Sequence, residues 1–322
     1  MAEGFAVKRV QVLGAAGVLL ALVLPYLATV LGKPDLVTLG TQIAIYGIAA
    51  VSLDLLIGYT GLSSFGHAAF FGLGGYTVGI LAFHAAGDPM FGVIPGATEA
   101  WIVWPLSIGV AGLAALAIGA LSLRTEGVSF IMITLAFAEM FFFLFVSLKT
   151  YGGDDGLGFR RRNGLPAIAP RDDVAFYYVC VTALAVVLFG FSRLVGSRFG
   201  RVLQGIRQNP RRMGAIGLPT YPYKLAAFTI AGAGAGLAGA LHANLLRFVS
   251  PDMLHWTMSG DFMIMVVLGG AGTLFGPVIG AAVMVLLQSW LAQWTEHWMI
   301  VMGPILVLVV LFARRGILGL LR

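Results

Sequence analysis

Ten apolar runs follow one another along this 322-residue chain, most of them long enough to cross a hydrocarbon layer. They cover roughly residues 10–31, 36–57, 67–87, 101–121, 128–148, 174–194, 222–246, 258–270, 277–295 and 298–313. A bilayer core of about 30 Å takes about 20 helical residues per crossing. Within it, backbone polar groups must be paired inside the protein, so only helices or closed barrels can span. A barrel requires segments of about 10 residues alternating in polarity, and this chain has continuous runs instead. The expected fold is an all-α polytopic membrane protein of about ten transmembrane helices, forming one membrane domain over residues 1–322.

Only 11% of the residues are charged and 59% are hydrophobic. A soluble protein carries about a quarter charged residues, so this surface must face lipid. The net charge of +6 reads as cytoplasmic loops rather than a nucleic-acid site. Cys180 is the single cysteine, which excludes an intrachain disulfide and a thiolate metal cluster; no metal site is expected. The first run follows Lys8 and Arg9 and is too long for a signal-peptide core, so it reads as a retained helix. With both termini cytoplasmic, thirteen of the twenty Lys and Arg lie inside and seven outside. Arg160, Arg161, Arg162 and Arg171 of those seven share one long periplasmic loop, 149–173, with Lys149 at its start and four aspartates. The expected location is a bacterial inner membrane, crossed many times.

Two glycine-rich stretches break the apolar pattern. One is "LIGYTGLSSFGHAAFFGLGGYTVGI", Leu56 to Ile80; the other is "LGGAGTLFGPVIG", Leu268 to Gly280. Both contain Phe-Gly, at 65–66 and 275–276. Paired interruptions can mark an internal repeat around a substrate site; glycines also let helices approach closely in lipid. The flanking runs leave 58–66 for irregular backbone, which survives only where protein or water satisfies it. It is expected to border the pathway. Asp54, His67 and Glu139 are the ionisable groups placed within or beside spans. They either line the path or bond a neighbouring helix, since a charge facing lipid costs at least about 2.5–3.5 kcal/mol. The candidate pathway residues are Asp54, Tyr59, Ser63, Ser64, His67 and Glu139. Ser64 and His67, at i and i+3, have the spacing of a nucleophile and base, but the sequence names no third group and serine beside glycine is common in packed membrane helices. No catalytic residue is assigned.

The largest polar insertion is a cytoplasmic loop over 195–221. Phe199, Val202, Leu203 and Ile206 fall at i, i+3, i+4 and i+7, one face of a helix. Asn209 is a good N-cap and Pro210 a good first residue for a second helix. Gly217 suits its C-cap, and Pro219 prevents continuation. This short helix, 210–216, displays Arg211 and Arg212. Arginines there could meet lipid phosphates. A rigid helix capped at both ends is better explained as a docking element for a cytoplasmic partner.

These blocks together resemble the M-type permease subunit of branched-chain amino-acid ABC importers (LivM-type). The likeness includes "GYTGLSSFGHAAFFGLGGYTVG", "LRTEGVSFIMITLAFAEM", "TYGGDDGLG", "GRVLQGIRQNPRRMGAIGLPTYPYK", "FVSPDM", "VVLGGAGTLFGPVIGA" and "ARRGILGL". The resemblance implies an ATP-driven importer of branched-chain amino acids or related small polar solutes. It implies a homologous second permease (LivH-type), two cytoplasmic ABC ATPases and a periplasmic binding protein. It places ATPase coupling on Arg201, Arg207, Asn209, Arg211, Arg212 and Gly217. The chain has no G-x-x-x-x-G-K-[ST] loop, so it is not expected to be an enzyme or to hold a cofactor; ATP and Mg would sit on the partners. Leu62, Ser63 and Phe65 depart from the family's first block, Asp54 stands where Asn is usual, and Pro210 replaces an acidic residue. An ion-coupled secondary transporter, with Asp54 or Glu139 carrying a proton, is the alternative.

Overall fold

The computed structural model describes residues 22–87, 96–164, 172–294, 297, 300–301, 303–304 and 316–317. Most of the first and tenth expected spans therefore lies outside the described residues, as do Arg171, Arg314, Arg315 and Arg322. The chain enters as a helix, α1, over 22–30. Then follow α2 (Asp35–Asp54), α3 (His67–Ala86), α4 (Ala100–Ser122), α5 (Val128–Ser147) and α6 (Asp173–Gly196). A loop carrying α7 (Arg198–Gln208) and α8 (Pro210–Ala215) leads to α9 (Thr220–Leu246), α10 (Trp256–Gly269) and α11 (Gly276–Ala292). Six of these helices are long and apolar enough to cross a membrane, and α10 and α11 are shorter apolar helices.

The interior is built on small residues. Most of α2, α3 and α9 is buried, whereas only about a fifth of α5 and α6 is. The exposed face includes Leu113, Met132, Phe143, Val186 and Phe189, apolar side chains suited to lipid. At the centre, α9 packs along both α3 and α4. Close approach requires glycine there: a Cβ on Gly74 would collide with the Gly236 backbone, and one on Gly236 with the Ala111 side chain. In lipid such small-residue contacts, rather than hydrophobic exclusion, hold helices together. Gly74→Val should therefore separate α3 from α9. The expected result is a marked loss of monodisperse protein on gel filtration. Gly109→Val, where a Cβ meets nothing within 4 Å, should leave the yield unchanged.

At one end of the bundle, the long loop is folded. Leu157–Gly158 (β1) pairs antiparallel with Phe248–Val249 (β2). Asn244, near the end of α9, accepts from the Asn163 backbone at 2.7 Å and donates to its side chain at 2.8 Å. The Arg162 Nε donates to the Asn244 carbonyl at 2.9 Å, and its guanidinium pairs with Asp173 at 2.7 Å. The guanidinium also lies over the Phe176 ring, 4.6 Å from its centre. The all-α expectation thus needs one addition, this two-residue ladder. Two residues are too few for any alternating pattern to announce a strand.

Candidate functional site

The site is built where three polar segments meet at the opposite end of the bundle. The first is the continuation of α2. Its last turns widen into a π-helix, Leu55–Thr60, before Gly61 turns the chain in the left-handed region at φ 77°. π-turns inside helices are uncommon and concentrate at functional positions. Thr60 Oγ1 donates to the Leu55 carbonyl at 2.9 Å, holding the widened turn. Residues 61–66 then run without helix until α3 starts at His67. The expected irregular segment is present. Several of its polar groups are met by protein. Ser64 Oγ accepts from Gly66 N at 3.2 Å. Ser259 of α10 donates to the Phe65 carbonyl at 2.6 Å and accepts from Ala68 N at 2.8 Å.

The second segment follows α10. Gly270 and Gly272 both take positive φ, 114° and 80°, conformations that glycine alone adopts freely. Thr273 Oγ1 donates to the Gly270 carbonyl at 2.6 Å, and Gly276 opens α11. The two glycine breaks touch: Gly272 N donates to Asp54 Oδ1 at 2.8 Å. Gly58 lies so close to Gly272 that a Cβ at position 58 would overlap the Gly272 amide and the Asp54 carboxylate.

The third segment is α7. Gly200, Leu203 and Ile206 are its buried residues, and Phe199 and Val202 are partly buried, as the sequence pattern predicts. The Arg207 guanidinium reaches back to donate to the Gly58 carbonyl. Its charge also acts on Asp54. Asp54, Gly58, Gly272 and Arg207 form one knot joining α2, α7, α10 and the two breaks.

Beyond the knot, α8 stands out from the bundle with none of its residues buried. The Asn209 side chain accepts from Arg212 N at 3.0 Å, the expected N-cap. Gly217 has φ 85°, and Leu218 N donates to the Met213 carbonyl at 3.1 Å, closing the helix in a Schellman-type turn. Arg201, Arg211 and Arg212 are exposed.

The candidate pathway residues do not form one cluster. Asp54, Ser64 and His67 are buried, and Tyr59 and Ser63 are partly buried around the first break. His67 Nε2 faces Ser52 Oγ at 2.9 Å rather than Ser64, so the nucleophile-and-base reading of Ser64 and His67 has no pair in the structure. Glu139 stands apart on α5, 3.9 Å from His255, the N-cap residue of α10. The knot lies at the other end of α10, about 20 Å away at 1.5 Å per residue. Three further polar residues inside the apolar runs were not singled out from the sequence. Lys224 is buried and pairs with Glu126 at 3.3 Å. His242 is buried in α9, and Asp261 is half-buried in α10. Their signal was available, because each falls inside an apolar run. No group of three or more His, Cys, Asp and Glu able to hold a metal occurs among the described residues.

Comparison with known proteins fits this architecture. The family described as "Branched-chain amino acid transport system / permease component" matches residues 36–310. The chain is 28% identical to the high-affinity branched-chain amino acid transport system permease protein LivM of Salmonella typhimurium, over 89% of this chain and 70% of that protein. It is 28% identical to the Escherichia coli LivM protein of the same description, over 99% of this chain and 77% of that one. A probable branched-chain amino acid transport permease protein LivM of Methanocaldococcus jannaschii is 25% identical, over 76% of this chain and 77% of its own length. No solved structure matches. A multi-pass membrane protein with this match over most of its length is a transport subunit: the chain belongs to the branched-chain amino acid transport permease family.

Proposed function

We propose that this chain is the permease subunit of an ATP-driven importer that moves branched-chain amino acids across a bacterial inner membrane. It acts as one domain of about ten spans with both termini in the cytoplasm. Its partners are a homologous second permease, two cytoplasmic ABC ATPases and a periplasmic binding protein. ATP and Mg bind on the ATPases, and this chain carries no cofactor. The carrying observation is α8: a helix capped at both ends, wholly outside the core, and joined through α7 to the knot. A rigid lever of this kind needs a partner on its free side. The names of the relatives support the substrate class.

The knot gives the lever something to move. ATP-driven closure of the ATPases displaces α8, and α7 moves with it. Arg207 carries that motion to Gly58, and Asp54 carries it to Gly272. Both glycine breaks then shift together, tilting α2 and α10 relative to α3 and α11. Alternating access follows from rigid helices pivoting about two irregular joints. Asp54 serves this linkage through its carboxylate, so it is a poor candidate for a proton carrier.

The deciding experiment is uptake into proteoliposomes containing the whole complex. Leucine should enter with ATP on the ATPase side and without any ion gradient. Uptake that follows a proton or sodium gradient in the absence of ATP would overturn the proposal in favour of a secondary transporter. Orientation has its own test. Gln208 lies at the end of α7 and Gly158 in β1 at the opposite end. Cysteines placed there singly, on a Cys180→Ala background, should differ in reaction with an impermeant thiol reagent. Position 158 should label from outside in intact cells and 208 only after lysis.

A further inference from the structure

The loop at the end of the bundle opposite the knot is tied down at successive points along the chain. The Tyr151 hydroxyl lies 3.0 Å from His84 Nε2, near the end of α3. The ladder of β1 and β2 sits against Gly79 of α3, where a Cβ would stand 2.7 Å from the Val249 side chain and 3.5 Å from that of Leu157. Phe159 N donates to the Arg247 carbonyl, just beyond α9, at 3.0 Å. Arg162 and Asn163 clasp Asn244 of α9, and Arg162 reaches on to Asp173 at the start of α6. Gly164 N donates to the Thr98 carbonyl at 2.8 Å, and the Gly164 carbonyl accepts from Ala100 N, at the start of α4, at 3.0 Å.

These ties are costly to undo. Arg162 is 7% exposed, Asn163 6% and Asn244 0%. Lifting the loop off α9 strips buried amides of their partners, which forfeits the desolvation already spent on them. It also leaves a buried guanidinium without its counter-charge, a worse loss. The knot end is built in the opposite way. Its backbone is irregular over 61–66, Gly270 and Gly272 take positive φ, and α8 has no buried residue. Segments with little buried contact are the ones that move at low cost.

We infer that residues 149–164 are a permanent brace and not a gate. They hold the ends of α3, α4, α6 and α9 together through every step of transport, and the chain changes shape at the knot end. The inference rests on the alternating-access function and the orientation proposed above, which make the braced end the outer one. With those helix ends fixed to one another, a push on α8 becomes a pivot about the outer end. Solute enters along an edge of the braced group, and the loop does not lift to admit it.

The test locks the brace covalently. Gly158 and Phe248 are directly opposed in the ladder, and a Cβ on Gly158 lies 3.9 Å from the Phe248 ring. Cysteines at such a pair are within reach of a disulfide. Gly158→Cys with Phe248→Cys, on a Cys180→Ala background, is oxidised in the complete reconstituted complex, and loss of thiol labelling confirms the bond. ATP-driven leucine uptake by the oxidised complex should stay within about twofold of the reduced one. A larger fall on oxidation, reversed by reduction, overturns the brace and leaves the import function standing. Should the double variant fail to assemble, hydrogen exchange is followed in the native complex. The amides of 157–163 should exchange no faster during ATP turnover than at rest, and faster exchange there overturns the inference. A native complex that imports no leucine with ATP overturns the function and this inference with it.

Discussion

Arg211→Glu combined with Arg212→Glu removes the ATPase from the purified complex. That is the expected result if α8 is the docking element. Both residues are exposed and lie on a helix with no buried residue. The helix is held by its own caps: Asn209 at one end, and the Gly217 turn at the other. Reversing two charges there changes no internal contact, so insertion and folding should be intact. It does reverse the electrostatics presented to a partner, and charge mismatch at an interface suppresses association strongly. The measurement is co-purification of ATPase with tagged permease, with the permease's gel-filtration profile as control. The ATPase should fall to background. Unchanged co-purification would remove α8 from the coupling mechanism. A helix that only rested on lipid headgroups would also release its membrane contact, but the ATPase would stay.

Gly58→Ala should uncouple the transporter. A methyl at this position would overlap the Gly272 backbone and the Asp54 carboxylate. The Gly272 backbone cannot swing away as a flexible side-chain tip could. The knot must open, and overpacking of a close contact costs about 1–3 kcal/mol or more. At about 1.4 kcal/mol per tenfold, uptake should fall tenfold or more. The reason lies in the linkage: with Gly58 displaced, Arg207 loses its acceptor and α7 its grip on both breaks. ATP hydrolysis by the assembled complex should persist without matching uptake. Gly61→Ala is the informative contrast. Its φ of 77° strains any other residue, but the nearest atom to its Cβ is Arg207 Cγ at 3.1 Å, part of a long side chain. It should transport less than the native protein and more than Gly58→Ala. Equal, native-level transport by both variants would mean that the glycine break is a packing turn. Asp54→Asn belongs to the same series. An amide oxygen still accepts from Gly272 N, so its effect should be mild, whereas a proton-carrying role would make it severe.

Much of this was legible before folding was considered. The spans expected at 36–57, 67–87, 101–121, 128–148, 174–194 and 222–246 correspond to helices whose ends differ by a few residues. The α8 helix was legible down to its caps, because Asn209, Pro210 and Gly217 act within one or two turns of themselves. The irregular backbone after α2 was legible as a concentration of glycine and polar residues. Its π-helical form was not, since no composition separates a π-turn from an α-turn. The ladder between β1 and β2 escaped for want of length.

The sequence by itself determined everything that depends on neighbours in the chain: membrane residence, the order of helices, the break near Gly58 and the projecting helix. These follow from hydrophobicity and local backbone preference. Tertiary structure alone decided which polar groups meet. Asp54 and Gly272 are 218 residues apart, and Arg207 and Gly58 are 149 apart. No periodicity connects such positions, yet their contact gives the loop a lever. The same holds for Tyr46 and His242, which come from two helices. In the sequence each is one polar residue in an apolar run, with packing and function equally open. Only the arrangement of α2 and α9 places Tyr46 against His242.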